Sequence, residues 1–241
     1  SKTMAGRIYN IPQSCSFVDV LAQKFGLMYQ DNPAGLAGLM FLLPNRRACL
    51  SLRDAFVRLN GLRPTLLPKI IPIGDLEEDE ISLRTGDGPE IIRRLPPAVD
   101  EFERLFIFAR LIVSKPAEYG LPEMTISQAV SLARDLAKLI DISHNEQLSF
   151  DKLKNLVPEQ YAVHWQETLR FLQIITQYWP QILKERQVVD AAERKNILLA
   201  AQAEIWADSP PPEKIIAAGI TADFPGYKKL LKTILQLSEG E

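Results

Sequence analysis

Residues 39–59 read LMFLLPNRRACLSLRDAFVRL, and this stretch decides the fold. Leu39 to Leu43 is an uninterrupted apolar run stopped by Pro44, as expected of a parallel strand covered on both faces. Ala48, Leu52, Ala55, Phe56 and Leu59 then recur at helical spacing. Asn45 stands where an N-terminal cap belongs, and Gly61 where a helix closes. A buried strand, a tight turn and an amphipathic helix together form the repeating unit of a parallel α/β sheet.

The same texture extends to both sides. Upstream, Arg7 to Ile11 reads as a strand, Phe17, Val20, Leu21, Lys24 and Phe25 as a helix stripe, and Asp31-Asn32-Pro33 as a turn. Downstream, Lys69 to Ile73 reads as a third strand, placed at an edge because Pro72 has no N–H to give. Residues 82–97 carry Gly86, Gly88, Pro89, Pro96 and Pro97 and read as a linker. From Ala98 to Trp206 the periodicity is almost wholly helical. One stripe is Phe102, Leu105, Phe106, Ala109 and Ile112. A second is Ala129, Leu132, Ala133, Leu136, Leu139 and Ile140. A third runs from Trp165 through Leu169 and Leu172 to Trp179, with Pro180 interrupting or restarting it. Asp190 and Glu193 have the spacing of a capping box and open a further helix. Ile215 to Ala218 returns to buried-strand texture, and Tyr227, Leu230, Leu231, Ile234 and Leu235 form a last stripe. The expected fold class is α/β, a parallel sheet lobe of residues 1–95 and 210–241 with a large all-helical insertion at 96–209.

Composition narrows the function classes. The 241 residues are 46% hydrophobic and 24% charged, which suits a globular chain and not a disordered one. Two cysteines, Cys15 and Cys49, exclude a disulfide framework and any cysteine-based zinc or iron–sulfur site, and two histidines, His144 and His164, leave little for a His-rich metal centre. No apolar run approaches the roughly 18 residues of a membrane span, and no secretory leader opens the chain, so a cytoplasmic location without membrane partners is expected. The chain begins at Ser1 and not at a methionine, which reads as a fragment of a longer protein. The net charge of −2 hides an asymmetry: residues 1–74 hold nine Lys/Arg against three acids, and residues 75–90 one Arg against seven acids. A basic first segment suits a polyanionic partner or a solvated face balanced by the acids that follow.

A sheet lobe with a large insertion suggests a nucleotide-hydrolase architecture, whose test is the phosphate loop. That loop needs glycines and a Lys-Ser/Thr pair, so that backbone N–H groups and an ammonium can cradle phosphates. Here the first strand runs into Pro12, Gln13, Ser14, Cys15 and Ser16, with no glycine and no lysine. The strand at Ile215 ends Ala217-Ala218-Gly219 with no carboxylate to hold magnesium, and Asp223 beyond it reads as a helix cap. Glu77 to Glu80 invite a two-metal reading, yet neighbours on a helix diverge, and acids suit a first turn. Cys15, between Ser14 and Ser16, lacks a nucleophile elbow and reads as a packing residue. His144 reads as a helix-end donor and His164 as a surface or packing residue. The chain is therefore expected to be non-catalytic, with no metal and no cofactor of its own. Arg46 and Arg47, with Asn45, open a helix after a buried strand, where guanidinium and N–H groups can hold a phosphodiester.

Several blocks resemble one family. Phe41-Leu-Leu-Pro-Asn-Arg-Arg-Ala-Cys-Leu50 with its continuation to Leu59, Leu66-Leu-Pro-Lys-Ile-Ile-Pro-Ile-Gly-Asp75, His164-Trp-Gln-Glu-Thr-Leu-Arg-Phe-Leu172, Asp190-Ala-Ala-Glu-Arg194 and Ile215-Ile-Ala-Ala-Gly219 are similar, in this order, to the N-terminal region of the AddB family, alphaproteobacterial type. AddB is a subunit of a helicase–nuclease that processes double-strand breaks. The resemblance implies a RecA-like, superfamily-1 helicase-like lobe of the P-loop NTPase type whose ATP site is inactivated. It implies DNA, as a single strand or duplex end, and the AddA subunit as partners, and it assigns DNA contact to Asn45, Arg46 and Arg47. The family's nuclease, iron–sulfur cluster and magnesium belong to a carboxyl-terminal part that is missing here. A protein-interaction scaffold that never touches DNA is the alternative.

Overall fold

The computed structural model describes residues 16–61, 66–74, 94–119, 121–148, 172 and 174–237. The chain divides into two compact units, one drawn from Ser1–Arg93 and Leu198–Glu241, the other from Arg94–Ile197.

In the first unit helix α1 (Phe17–Met28) leads through a short α2 (Pro33–Ala37) into strand β1 (Leu39–Leu43), which is buried along its whole length. Helix α3 (Arg46–Leu59) and strand β2 (Lys69–Pro72) follow. Later in the chain come β3 (Lys214–Ala217) and α8 (Pro225–Gln236). The described strands form one sheet in the order β2-β1-β3, with both pairings parallel. Met40 stands opposite Lys69 on one side and Ile215 on the other. Pro72 thus lies in the outer strand β2, as its missing donor requires.

The apolar run of β1 splits by the two-residue period of a strand. Leu39, Phe41 and Leu43 pack with Leu21 and Phe25 of α1 and with Cys49, Leu52, Ala55 and Phe56 of α3. Met40 and Leu42 pack on the other face with Leu230 and Ile234 of α8 and with Leu199, Ala203 and Trp206 of helix α7 (Ala191–Asp208). Phe41 meets Phe25 at 5.1 Å and Phe56 at 5.8 Å, both edge to face.

The second unit is helical: α4 (Glu101–Ser114), a 3-10 turn (Pro116–Tyr119), α5 (Ile126–Asn145), a π-turn (Ile174–Tyr178), α6 (Trp179–Arg186) and the first residues of α7. Asp100 caps α4, accepting from the N–H groups of Phe102 and Glu103, and Thr125 with Gln128 forms a reciprocal capping box on α5. Phe108, Ala109 and Ile112 pack with Ala129, Ala133, Leu136 and Ile140, and Phe108 meets Trp179 at 4.7 Å. A parallel bridge joins Ala98 to Val189. Pro180 restarts a helix after the π-turn.

Four sequence expectations change. The turn at Asp31-Asn32-Pro33 is the start of α2: Asn32 accepts from the Gly35 N–H and Pro33 takes the first turn. Phe102 and Phe106 do not line the core of α4 but are 82% and 63% exposed, while Arg104 is buried with Phe108 and Ile112. Leu59, counted in the α3 stripe, is 57% exposed. The cap position of α8 is Phe224, without a side-chain cap bond, so Asp223 is not the cap. No described helix is long and apolar enough to cross a membrane. The strand expected at Arg7 to Ile11, most of the 82–97 linker, the acids Glu77 to Glu80, and Trp165, Leu169 and His164 lie outside the described residues.

Candidate functional site

In a parallel sheet every strand-to-helix turn falls on the same edge, and ligands of such folds gather there. In the first unit this carboxyl edge holds the turn Pro44-Asn45 between β1 and α3, and the exit of β3 at Gly219. Gly219 has φ +67°, a left-handed conformation suited to glycine. A Cβ placed on it would lie 3.0 Å from the Phe17 ring and 3.5 Å from Pro44. The entrance of α1, the β1 turn and the β3 exit therefore converge, and an aromatic ring fills the space between them. Of the residues compared with a phosphate loop in the sequence, Pro12, Gln13, Ser14 and Cys15 lie outside the described residues; Ser16 is the N-terminal cap position of α1, with no side-chain cap bond.

Asn45 caps α3 as its sequence position suggests, with its side-chain oxygen accepting the Ala48 N–H at 2.9 Å. The cap fixes where α3 begins, so Arg46 and Arg47 occupy its first two positions, and all three residues are exposed. A helix start carries roughly half a positive charge and favours anions. Two arginines there add like charge to like, and no acid sits in that first turn. Two further arginines of α3 make contacts within the unit. Arg53 donates to the Ile70 carbonyl at 3.3 Å, and Arg58 pairs with Asp19 of α1 at 2.8 Å. Arg63 lies outside the described residues.

The second unit holds a charged cluster that sequence reading missed. Arg104 of α4, 7% exposed at its side chain, donates twice to Asp141 of α5, at 2.7 and 2.9 Å, and once to Asp190 at 3.1 Å. Asp190, 2% exposed, also accepts from the Trp179 indole N–H at 3.1 and 3.0 Å and faces His144 Nε2 at 3.2 Å. Burial alone would raise the Asp190 pKa, but His144, Trp179 and Arg104 hold it below the usual carboxylate value. Burial opposes charge on His144, yet Asp190, Glu193 and Asp141 raise its pKa above the ordinary histidine value. The Asp190 carboxylate is thus held by Arg104, Trp179 and His144, with no described cap bond to α7, and His144 is not a lone helix-end donor. The partners lie 86 and 46 residues away in sequence, so only their residue types were visible, not their meeting.

Comparison of the chain with protein-family models, with curated proteins and with solved structures finds no match.

Proposed function

We propose that the chain is a helicase-like lobe without ATPase chemistry, which binds DNA by its phosphates at the carboxyl edge of the sheet. More particularly, its sequence blocks point to the N-terminal region of an AddB-type subunit. In that reading the sheet unit is the RecA-like lobe, the helical unit its insertion, and an AddA-type motor the partner that supplies ATP hydrolysis.

One observation carries this reading: Asn45 starts α3 so that Arg46 and Arg47 crowd the helix end that is already positive. An arrangement that opposes the helix dipole is relieved when a phosphodiester sits there. The Phe17 ring against Gly219 adds support, because it takes up room where a nucleotide would need backbone N–H groups. Fluorescence anisotropy with a labelled single strand and a labelled duplex end tests the proposal. Affinity should fall steeply with salt and collapse in the Arg46→Glu/Arg47→Glu double variant. No binding at low salt would refute it.

The scaffold alternative is favoured by one observation of its own, the exposed Phe102 and Phe106 on α4. It predicts that the arginine variant leaves partner binding intact and that Phe102→Ser/Phe106→Ser abolishes it.

A further inference from the structure

The cluster in the helical unit carries more negative than positive charge. Arg104 and Asp141 close a two-pronged ion pair, one charge against one. Asp190, almost wholly buried, shares that guanidinium at 3.1 Å, and Glu193 lies in the first turn of α7 with no described cation paired to it. Three carboxylates, Asp141, Asp190 and Glu193, thus gather around one guanidinium and one imidazole, and excess charge of one sign is costly where groups are buried. A divalent cation would offset that excess.

The geometry fits that requirement. His144, Asp190 and Glu193 each offer one ligand atom, and these atoms lie within 4.8 Å of one another. The His144 Nε2 to Asp190 Oδ2 separation of 3.2 Å is long for a charge-assisted hydrogen bond, ordinarily about 2.7–2.9 Å. It is close to the edge of a tetrahedron whose ligands stand about 2.0 Å from a central zinc. The supporting contacts are those that orient metal ligands elsewhere. Trp179 and Arg104 hold the Asp190 carboxylate. The Asn196 amide donates to the His144 carbonyl at 3.1 Å and steadies the end of α5. His144 and Glu193 are only partly buried, which leaves an approach from solvent.

We infer that His144, Asp190 and Glu193 bind a divalent transition metal, zinc by preference, which ties the end of α5 to the start of α7. One imidazole and two carboxylates suit zinc, and they leave a fourth position for water. This inference is independent of DNA binding and of the family assignment.

The chain has two histidines and two cysteines in all, so competing zinc sites are few and the test is clean. The full chain, stripped with chelator and dialysed, is titrated with zinc sulfate by calorimetry at neutral pH, with thermal unfolding alongside. One zinc per chain is expected, with a raised unfolding temperature. His144→Ala should abolish both effects. Glu193→Gln, at a partly exposed position, should weaken binding by at least about ten-fold while the protein stays folded by circular dichroism. His164→Ala and Cys49→Ala should bind as the parent does. Cobalt should give the visible absorption of a low-coordinate site in the parent and lose it in Glu193→Gln. No saturable binding up to tenths of a millimolar zinc, or an affinity unchanged in Glu193→Gln, would overturn the assignment and leave the cluster as a network of ion pairs.

Discussion

Arg47→Glu separates what α3 needs for folding from what it offers a ligand. Arg47 is exposed, lies in the first turn of α3, and stands against the positive end of the helix dipole. Removing a cation there and supplying an anion are each worth about 0.3–1 kcal/mol at an exposed site. The replacement should therefore stabilise the sheet unit by about 1 kcal/mol. For a chain of this size that raises the unfolding temperature by about 2–4 °C. Phosphate binding should move the other way. One lost contact lowers the salt slope of DNA affinity by about 0.7 for a single strand and about 0.9 for a duplex. Two measurements on the same preparation suffice: thermal unfolding at low ionic strength, and anisotropy across a salt series. A variant that is more stable and binds less, with a shallower slope, is the expected result. Unchanged affinity and slope would show that Arg47 does not serve DNA. Lowered stability would show that the dipole argument misreads the helix start.

Other perturbations bear on the packing and the ion cluster. Arg104→Met should destabilise the helical unit by about 3–5 kcal/mol in urea unfolding, because it leaves buried Asp190 without its guanidinium partner. Gln202→Met should stabilise the sheet unit by about 1–3 kcal/mol, since both amide atoms of Gln202 are buried with no hydrogen-bond partner; a loss of stability would mean the amide has a partner in solution. Phe102→Ser/Phe106→Ser should change stability by less than about 0.5 kcal/mol, as expected of exposed side chains. In metal-free protein the raised pKa of His144 sets a pH dependence. Its contribution is full below the unfolded histidine value, about 6.5, and is lost as pH rises through the folded value. The unfolding temperature should fall across that window, and His144→Gln should flatten the decline.

How far the sequence discloses these features depends on whether local rules govern them. The turn from β1 to α3 is legible because a doubly covered parallel strand must be apolar throughout and Asn45 is a strong cap. The short α2 is hidden because Asn32-Pro33 opens a turn and a helix equally well. In α4 two apolar phases compete. The one with Phe102 and Phe106 looks richer, but the other wins because Arg104 on that face is neutralised by Asp141 and Asp190. Asp190 is disguised by its own neighbourhood: a capping pattern with Glu193 accounts for it locally, while its partners come from distant helices.

Among the described residues, three places break the ordinary pattern of charge and burial, and they are not equivalent. Arg104 sits on an apolar helix face, and its two carboxylate partners repair the breach within the fold. Gln202 lies buried in α7, and neither amide atom has a hydrogen-bond partner among the described residues. Arg46 and Arg47 oppose the dipole of α3, and among the described residues no acid in that turn relieves them. Of these, only the start of α3 is exposed, and that is where the proposed phosphodiester contact falls. Its place at the carboxyl edge of the sheet is where open α/β folds bind their ligands. In the proposed reading, the unfavourable placement of Arg46 and Arg47 against the helix dipole is what a bound phosphodiester offsets.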